Sequence, residues 1–582
     1  LQEEGFKFHD EYDYAPADAA EAVENYEKIL ENVGQICGDE IEPTAEETDK
    51  VGNVLNEDGT VTYAPGISNA LKRLSQADCM GFTLPYKYGG INCPQFVFTI
   101  SNDMVSRADA ALMNIYGLQG NADTINAFAD EDIKQYYLPR MASGEWTGAM
   151  VLTEPDAGSD LQSVKTAGYI GNGGDENKPA AAYQDEQGNW YIHGVKRFIT
   201  NGCGQVLLVL ARTEPEISDG RGLSLLVCDR GPKVKIRRLE NKLGIHGSPT
   251  CEIYFDHTPA KLIGERQRGL ITYVMSLMNG ARIGIAAQSL GIGEAAYRVA
   301  RAYAHSREQF GTAIENFPAL RELLADMSVD LQAARVLNYY ATYYVDIETA
   351  ALRKEHFGGF PDAEDKKANK QIIRKVGRMN KLLTPMSKYY ASEMSMRVAN
   401  GAIAVMGGSG YMKDYAAERH LRDSRITTIY EGTSQLQIVA AVAGVVSGTA
   451  NTVIEELLAK PSRRDAWPAE IAPLLYEIKA GLELLNECVE FTKTQPGQYK
   501  DLVARRLTDM AIHLLVGALF CDCAASTVDD AMAVRKLIVA RRWIGQKKAE
   551  NLMRAEQIKS GQADVLAEDD FLALAGAVPA AE

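Results

Sequence analysis

Glu431 sits between an apolar stretch and a Gly-Thr-Ser-Gln turn that opens a strongly apolar helix, in the run RITTIYEGTSQLQIVAAV (425–442). A carboxylate in that place has two chemical uses. It favours the N-terminal end of a helix, a placement worth about 0.3–1 kcal/mol. Or it acts as a general base, if partial desolvation lifts its pKa toward the working range. Three other stretches invite the same question: MVLTEPDAGSD (150–160), KRFITNG (196–202) and HSREQFG (305–311). Taken singly they read as a Pro-bearing turn, a hairpin and a helix C-terminus with a favourably placed arginine. Other chemistries lack their residues. There is no HExxH, GxSxG or Walker A run, and the eight histidines show no ligand spacing, so neither a metal site nor a Ser-His-Asp hydrolase is expected. GIGEAA (291–296) matches the loose dinucleotide fingerprint. It lies inside a helical pattern, however, and the fingerprint works only where a strand ends and a helix opens.

The elements that must position these groups follow from periodicity. Residues 1–147 read as helical: AAEAVENYEKILENVGQIC places apolar residues three and four apart, and NEDGTVTYAPG interrupts with turn residues. Residues 148–268 change texture to short Val-, Ile-, Leu- and Tyr-rich runs between Gly, Asn and Asp, the pattern of an antiparallel β domain. IGNGGDENKPAAAYQDEQGN within it reads as an exposed hairpin insertion. Helices return over 269–458, with a long one through MNGARIGIAAQSLGIGEAAYRVARAYAHSREQFG and a disordered-looking separator, LRKEHFGGFPDAEDKK, near 352–367. A linker at 459–473 leads to a further helical domain, 459–582. There Leu475, Ile478, Leu482, Leu485 and Val489 step by three and four, as do Val503, Leu507, Met510 and Leu514. The expected fold is mainly α with a central β domain.

Composition limits the partners. The net charge of −17 argues against nucleic acid, which wants a basic footprint, while a few local cations suffice for a small anion. Nine cysteines occur without a CxxC pair. Cys521 and Cys523 do not face each other on a helix and read as packing residues, so a reducing compartment is expected. The longest apolar run, around Ile438–Val446, falls short of the ~20 residues that span a bilayer. LQEEGFKFHD shows no signal pattern. A cytoplasmic protein with no transmembrane segment is expected.

Together and in order, the four motifs resemble those of the acyl-CoA dehydrogenases. The resemblance runs over about residues 20–450 and includes LGIHGSPTCEIYFD and GGSGYMKDYAAERHLRDSRI. Length and the extra C-terminal domain are similar to a longer branch that includes methylmercaptopropionyl-CoA dehydrogenases. The resemblance implies an N-terminal helical domain, a β domain and a four-helix bundle, and an FAD enzyme that removes two hydrogens across Cα–Cβ of an acyl-CoA. Its electrons would pass to an electron-transfer flavoprotein. The longer branch implies a homodimer. An acyl-CoA oxidase using O₂, or a non-catalytic scaffold of the same fold, are the competing readings.

The resemblance also implies roles by position. Glu431 matches the base in YEGT; its N–H polarises the thioester carbonyl, and Gly432 lets the chain turn there. Relatives that move the base to the residue before Arg282 have no counterpart here, because Ala281 carries no carboxylate. Arg282 matches a substrate-site arginine, and Asn279 stands where many relatives carry Asp at a CoA contact. Leu152, Thr153, Gly158 and Ser159 match the flavin-lining segment, with Ser159 also at the thioester arm. Phe198 replaces a common Trp against the flavin, keeping stacking but losing the indole N–H, and Thr200 matches the hydroxyl near N5. Arg307 and Phe310 match residues that reach the neighbouring subunit's FAD, and Gly407, Gly408, Thr433 and Gln435 complete the ADP end. Ala404 and Pro318 depart from the Gln that relatives often use there. Tyr116, Leu118, Gln119 and Tyr430 match acyl-pocket positions, and their size and polarity imply a short, branched, cyclic or heteroatom-bearing acyl group.

Overall fold

The computed structural model describes residues 4–164, 181–358 and 360–579. The chain opens with α1 (Ala19–Ile36), α2 (Ala45–Val51), α3 (Pro65–Gln76), α4 (Gln95–Ala108), α5 (Ala110–Gly117), α6 (Asn121–Phe128) and α7 (Glu131–Ala142). Asp18 fixes the start of α1, its Oδ1 accepting from the N–H groups of Ala20 and Glu21 at 2.8 and 2.9 Å. That satisfies donors the first helical turn leaves open. The NEDGT turn joins two short strands, β1 (Val54–Leu55) and β2 (Val61–Thr62). Val33, Leu74, Val105 and Leu112 bring α1, α3, α4 and α5 into one core.

The sheet follows: β3 (Gly148–Val151), β4 (Ala181–Gln184), β5 (Trp190–Thr200), β6 (Val206–Arg212), β7 (Leu223–Asp229), β8 (Val234–Leu239) and β9 (Thr250–Leu262). β7 pairs with both β6 and β9, and β4 meets β6 at Ala181 and Arg212, so the sheet curls back on itself. Most pairings are antiparallel, but β3 and β6 run parallel, Gly148 opposite Val206 through Val151 opposite Val209. The sequence reading missed this because every residue of β6 is buried, and a strand covered on both faces shows no alternation. The polar insertion read as a hairpin lies partly outside the described residues; its far side is the turn between β4 and β5, which pair through Tyr183 and Tyr191.

α8 (Met275–Ser306) contains GIGEAA in its middle. A side-chain carbon on Gly291 would come within 2.5 Å of the Asp103 carbonyl oxygen and 2.6 Å of the Arg107 nitrogen. That glycine therefore lets α4 and α8 cross at close range. α9 (Pro318–Phe357) and α10 (Ala363–Met406) come next. The separator expected over 352–367 is mostly helix, since its Leu, Arg, Lys and Glu residues favour one. Helix stops only around Gly358 (φ 77°) and restarts at Asp362, whose Oδ1 accepts from the N–H groups of Glu364 and Asp365. The chain continues with α11 (Gly408–Tyr411), α12 (Ala417–Thr427), α13 (Ser434–Val446), α14 (Thr449–Ala459), α15 (Ala472–Lys493), α16 (Gly497–Ser526), α17 (Asp530–Lys559) and α18 (Glu568–Ala575).

Two compact units result. One holds the chain to Met327 with Val345–Ala350 and Ala391–Thr433; the other holds Ser328–Tyr344, Ala351–Tyr390 and everything from Ser434 on. In the second unit the periodic apolar residues of α15 and α16 are all buried. Trp543 donates from Nε1 to the His513 carbonyl at 2.9 Å, and His513 Nδ1 pairs with Asn551 Oδ1 at 2.7 Å. Two stretches, Gly269–Ser306 and Gly497–Ser526, are long and apolar enough by composition to cross a bilayer, which the sequence reading did not anticipate. Of their apolar windows, 50% and 83% are buried inside the protein.

Candidate active site

Between α12 and α13 the chain reverses through 428–433, and two successive residues there have left-handed backbones: Glu431 (φ 53°) and Gly432 (φ 86°). For a residue with a β-carbon that conformation costs about 1–2 kcal/mol and persists only where neighbours impose it. Tyr430, the residue before, is anchored at its side chain. Its hydroxyl donates to Gln288 Oε1 on α8 and lies 3.2 Å from Asn114 Oδ1 on α5. Gln288 Nε2 in turn donates to Asn114 Oδ1 at 2.7 Å and to the Ala110 carbonyl at 2.8 Å. Burial, reinforced by the Glu431 charge, pushes the Tyr430 phenol above its ordinary pKa, so the network is held by a neutral hydroxyl. On the same helix, burial lowers the Arg282 pKa while the Glu431 charge opposes the shift. Arg282 Nη1 reaches Asn279 Oδ1 at 3.4 Å, and its buried Nε has no hydrogen-bond partner among the described residues.

The loop after β3 approaches the same end of α8. Leu152 and Ala157 share a core with Leu270, Tyr273 and Val274, and Met278 packs against it. A buried ion pair clamps this loop to β5: Lys196 Nζ lies 2.8 Å from Glu154 Oε1 and donates to the Leu152 carbonyl at 2.7 Å. Burial lowers the lysine pKa, and Glu154 works against that shift. The Arg197 N–H adds a bond to the Thr153 carbonyl at 3.0 Å. Beyond the clamp, Gly158 and Ser159 are exposed. β5 bulges between Lys196 and Ile199, an irregularity that re-aims side chains. It leaves Phe198 at φ 60° and 51% exposed, with the Arg197 guanidinium 4.7 Å from its ring centre. Thr200, two residues on, is half-buried.

The remaining cofactor candidates lie elsewhere. Arg307 caps the far end of α8, and Phe310 beyond it is 95% exposed at φ 52°. Tyr303 Oη pairs with Ser409 Oγ at 3.1 Å, which brings Gly407 and Gly408 to that end. Both glycines are exposed, Gly407 has φ 59°, and a side-chain carbon on either would meet nothing within 4 Å. At 1.5 Å per residue, Arg282 and Ser306 are about 36 Å apart along α8. Within one chain the two groups therefore lie at opposite ends of α8. Thr433 is half-buried, and Gln435 is exposed on the first turn of α13.

Two substrate candidates are buried and hydrogen-bonded within the protein. Tyr116 is fully buried beside Phe98 in the N-terminal core, its hydroxyl 3.0 Å from Ser101 Oγ. Gln119 donates to the carbonyls of Met141 and Trp146 and accepts from the Gly148 N–H. One trio of metal-capable groups, His193, Asp256 and His257, does come together. Its two imidazoles stack at 4.2 Å and 28°, His257 Nδ1 pairs with Tyr183, and Asp256 takes Lys235 at 3.2 Å. Stacked rings do not aim their in-plane nitrogen lone pairs at one ion.

Comparison with known proteins matches three domain descriptions in order: acyl-CoA dehydrogenase N-terminal domain at 23–145, middle domain at 149–258, and C-terminal domain at 268–356 and 368–446. The chain belongs to the acyl-CoA dehydrogenase family. An acyl-CoA dehydrogenase of Bacillus subtilis is 33% identical over 387 residues, 65% of this chain and 90% of that one. The 3-methylmercaptopropionyl-CoA dehydrogenase of Ruegeria pomeroyi is 30% identical over 456 residues, 72% of this chain and 71% of that one. A solved acyl-CoA dehydrogenase from Bacillus anthracis, complexed with FAD, shares the fold at TM-score 0.75 and 20% identity, covering 95% of this chain and 90% of that one. That coverage carries the likeness past residue 446, where the family's C-terminal domain ends.

In this family member the sequence reading overlooked four residues. Lys196 and Glu154 each sit inside a quoted motif, so their letters were in view, but nothing in the sequence pairs residues 42 positions apart. Gln288 lies in a helical stretch with no motif signal, while Asn114 opens NIYGLQGNADT (114–124), the stretch that supplied Tyr116, Leu118 and Gln119.

Proposed function

We propose that the protein is an FAD-dependent acyl-CoA dehydrogenase with Glu431 as the base that takes the α-proton. The observation that carries this is the strained Glu431–Gly432 turn, held by the Tyr430–Gln288–Asn114 network beside the Arg282 cation. A carboxylate fixed there faces a buried guanidinium. Its acid-base work is then a matter of reach. The Glu431 N–H is the donor the family resemblance assigns to the thioester oxygen, where it opposes the charge that develops as the α-proton leaves.

FAD fits the residues present. Phe198 offers an exposed aromatic face at a bulge. Gly158, Gly407 and Gly408 leave room for close backbone approach, and Arg307 supplies a guanidinium suited to a pyrophosphate. When bound, FAD supplies the acceptor for the β-hydrogen and its electron pair. Leu152, Thr153, Ser159 and Thr200 would hold the flavin end, with Thr433 and Gln435 toward the ADP. The 36 Å or so between the two ends of α8 supports a homodimer in which each site takes Arg307, Phe310, Gly407 and Gly408 from the second copy. Asn279, Arg282, Ser159, Tyr430 and Gly432 would meet the acyl-CoA.

Tyr116 and Gln119 would bound the acyl group from positions fixed by their own hydrogen bonds, favouring a short, branched, cyclic or heteroatom-bearing chain. The likeness to the 3-methylmercaptopropionyl-CoA dehydrogenase makes a short thioether acyl-CoA the first to try. An electron-transfer flavoprotein is the proposed acceptor. Nine free thiols, eight of them buried, suit the reducing cytoplasm. The test is anaerobic mixing with short, branched, cyclic, dicarboxylic and thioether acyl-CoAs, followed by loss of oxidised-flavin absorbance. Reduction by one class, with slow reoxidation by O₂ and fast reoxidation by electron-transfer flavoprotein, is expected. Fast turnover on O₂ alone points to an oxidase. A protein that binds neither flavin nor acyl-CoA is a scaffold.

A further inference from the structure

Beyond Asp564 the segment after α17 adds no residue to the buried core among the described residues. From Val565 to Pro579 every side chain is exposed, Phe571, Leu572, Leu574 and Val578 among them, although Glu568–Ala575 is helical. A lone eight-residue helix is not stable in water, and a run of large apolar groups left in solvent marks a contact surface. The first turn of α18 is acidic, with Glu568, Asp569 and Asp570, and none of the three has an ion-pair partner among the described residues.

The complement lies on α17. Its outward ridge is Val534, Ile538, Arg541, Gly545, Lys548 and Leu552, spaced by threes and fours and all exposed. Arg535 and Arg541 flank the apolar part without an ion-pair partner among the described residues. This ridge is apolar and basic where α18 is apolar and acidic. A membrane is the other usual occupant of an amphipathic helix, but cytoplasmic leaflets are anionic and repel such a first turn.

We propose that residues 564–578 form an exchange arm. The α18 helix of one copy lies along the outer ridge of α17 in a second copy, with Phe571 and Leu574 on Val534 and Ile538 and the acidic turn against Arg535 and Arg541. In a twofold dimer the exchange is reciprocal, each copy giving one arm and receiving one. Nothing in this depends on the catalytic reading.

The test uses two full-length proteins, one with Phe571→Cys and one with Ile538→Cys. All native thiols except Cys523 are buried, so the introduced pair reports contact. Both positions are exposed, and far-UV circular dichroism confirms that each variant is folded. Mixing under mild oxidation should give a disulfide-linked heterodimer. Adding Arg541→Glu to the Ile538→Cys chain should cut its yield at least fivefold, and Asp570→Arg on the other chain should restore it. The proposal is overturned if no linked heterodimer forms, if a chain carrying both cysteines links only within itself, or if charge reversal leaves the yield unchanged.

Discussion

At the residue scale the proposal turns on Glu431, a carboxylate before Gly-Thr-Ser-Gln whose uses three companion motifs narrow. What holds it was not legible. Tyr430 and Asn114 are 316 positions apart, and Gln288 sits in a helical stretch whose pattern speaks only of packing. The same holds for the Lys196–Glu154 pair, which is fully buried on both sides. Removing one partner of such a pair leaves a charge without compensation, a loss of about 3–5 kcal/mol. Lys196→Met should therefore lower the thermal midpoint sharply and loosen the 152–160 loop from β5. Lys196→Met combined with Glu154→Leu should regain most of that stability. Calorimetry of the single and double variants decides it, and equal losses in both would mean the pair does not clamp the loop.

At the scale of elements, helix positions followed from periodicity, whereas pairings and junctions did not. The buried face of α5 reads the same whether it lines a pocket or fills a core, so the hydrogen bonds of Tyr116 and Gln119 were not visible in the sequence. The 352–367 separator was misread because its charge suggested disorder while its residues favour helix. A junction that no pattern announces joins α12 to the 243–249 loop: Asp423 Oδ1 accepts from the Ile245 N–H at 2.6 Å. Burial raises this carboxyl from 3.8 to about 7. Between those values the folded chain holds a proton that the unfolded chain has lost. This group's contribution to stability therefore falls as pH rises from 3.8 toward 7, by at most about 1.4 kcal/mol per pH unit. Asp423→Asn keeps the acceptor oxygen and removes the titration, so its stability should fall less steeply across that range. Denaturation midpoints at several pH values compare the slopes, and parallel curves would show that Asp423 does not titrate there.

For the whole molecule, composition argued against nucleic acid and for a large core, yet it did not announce the two membrane-length apolar windows over Gly269–Ser306 and Gly497–Ser526. The length of α8 has the largest consequence, because it sets Arg282 and Arg307 at opposite ends of one helix, and the proposed homodimer completes each site with residues from both copies. Glu431→Gln and Arg307→Ala should each be inactive or weak as homodimers. Co-expressed with different tags and purified as a hybrid, they should recover up to half of wild-type activity through the one site that keeps Glu431 and receives an intact Arg307. A hybrid no more active than the sum of its parents would mean that each chain completes its own site.

The most direct measurement of the central claim is anaerobic stopped-flow reduction of the flavin in wild type and Glu431→Gln by an acyl-CoA that reduces the wild type. Glu431→Gln should keep its bound FAD and its affinity for acyl-CoA, while the reduction rate falls by about a hundred- to ten-thousand-fold, the worth of a positioned general base. Reduction at close to the wild-type rate would contradict the account and return Glu431 to the ordinary role of a carboxylate beside a helix end.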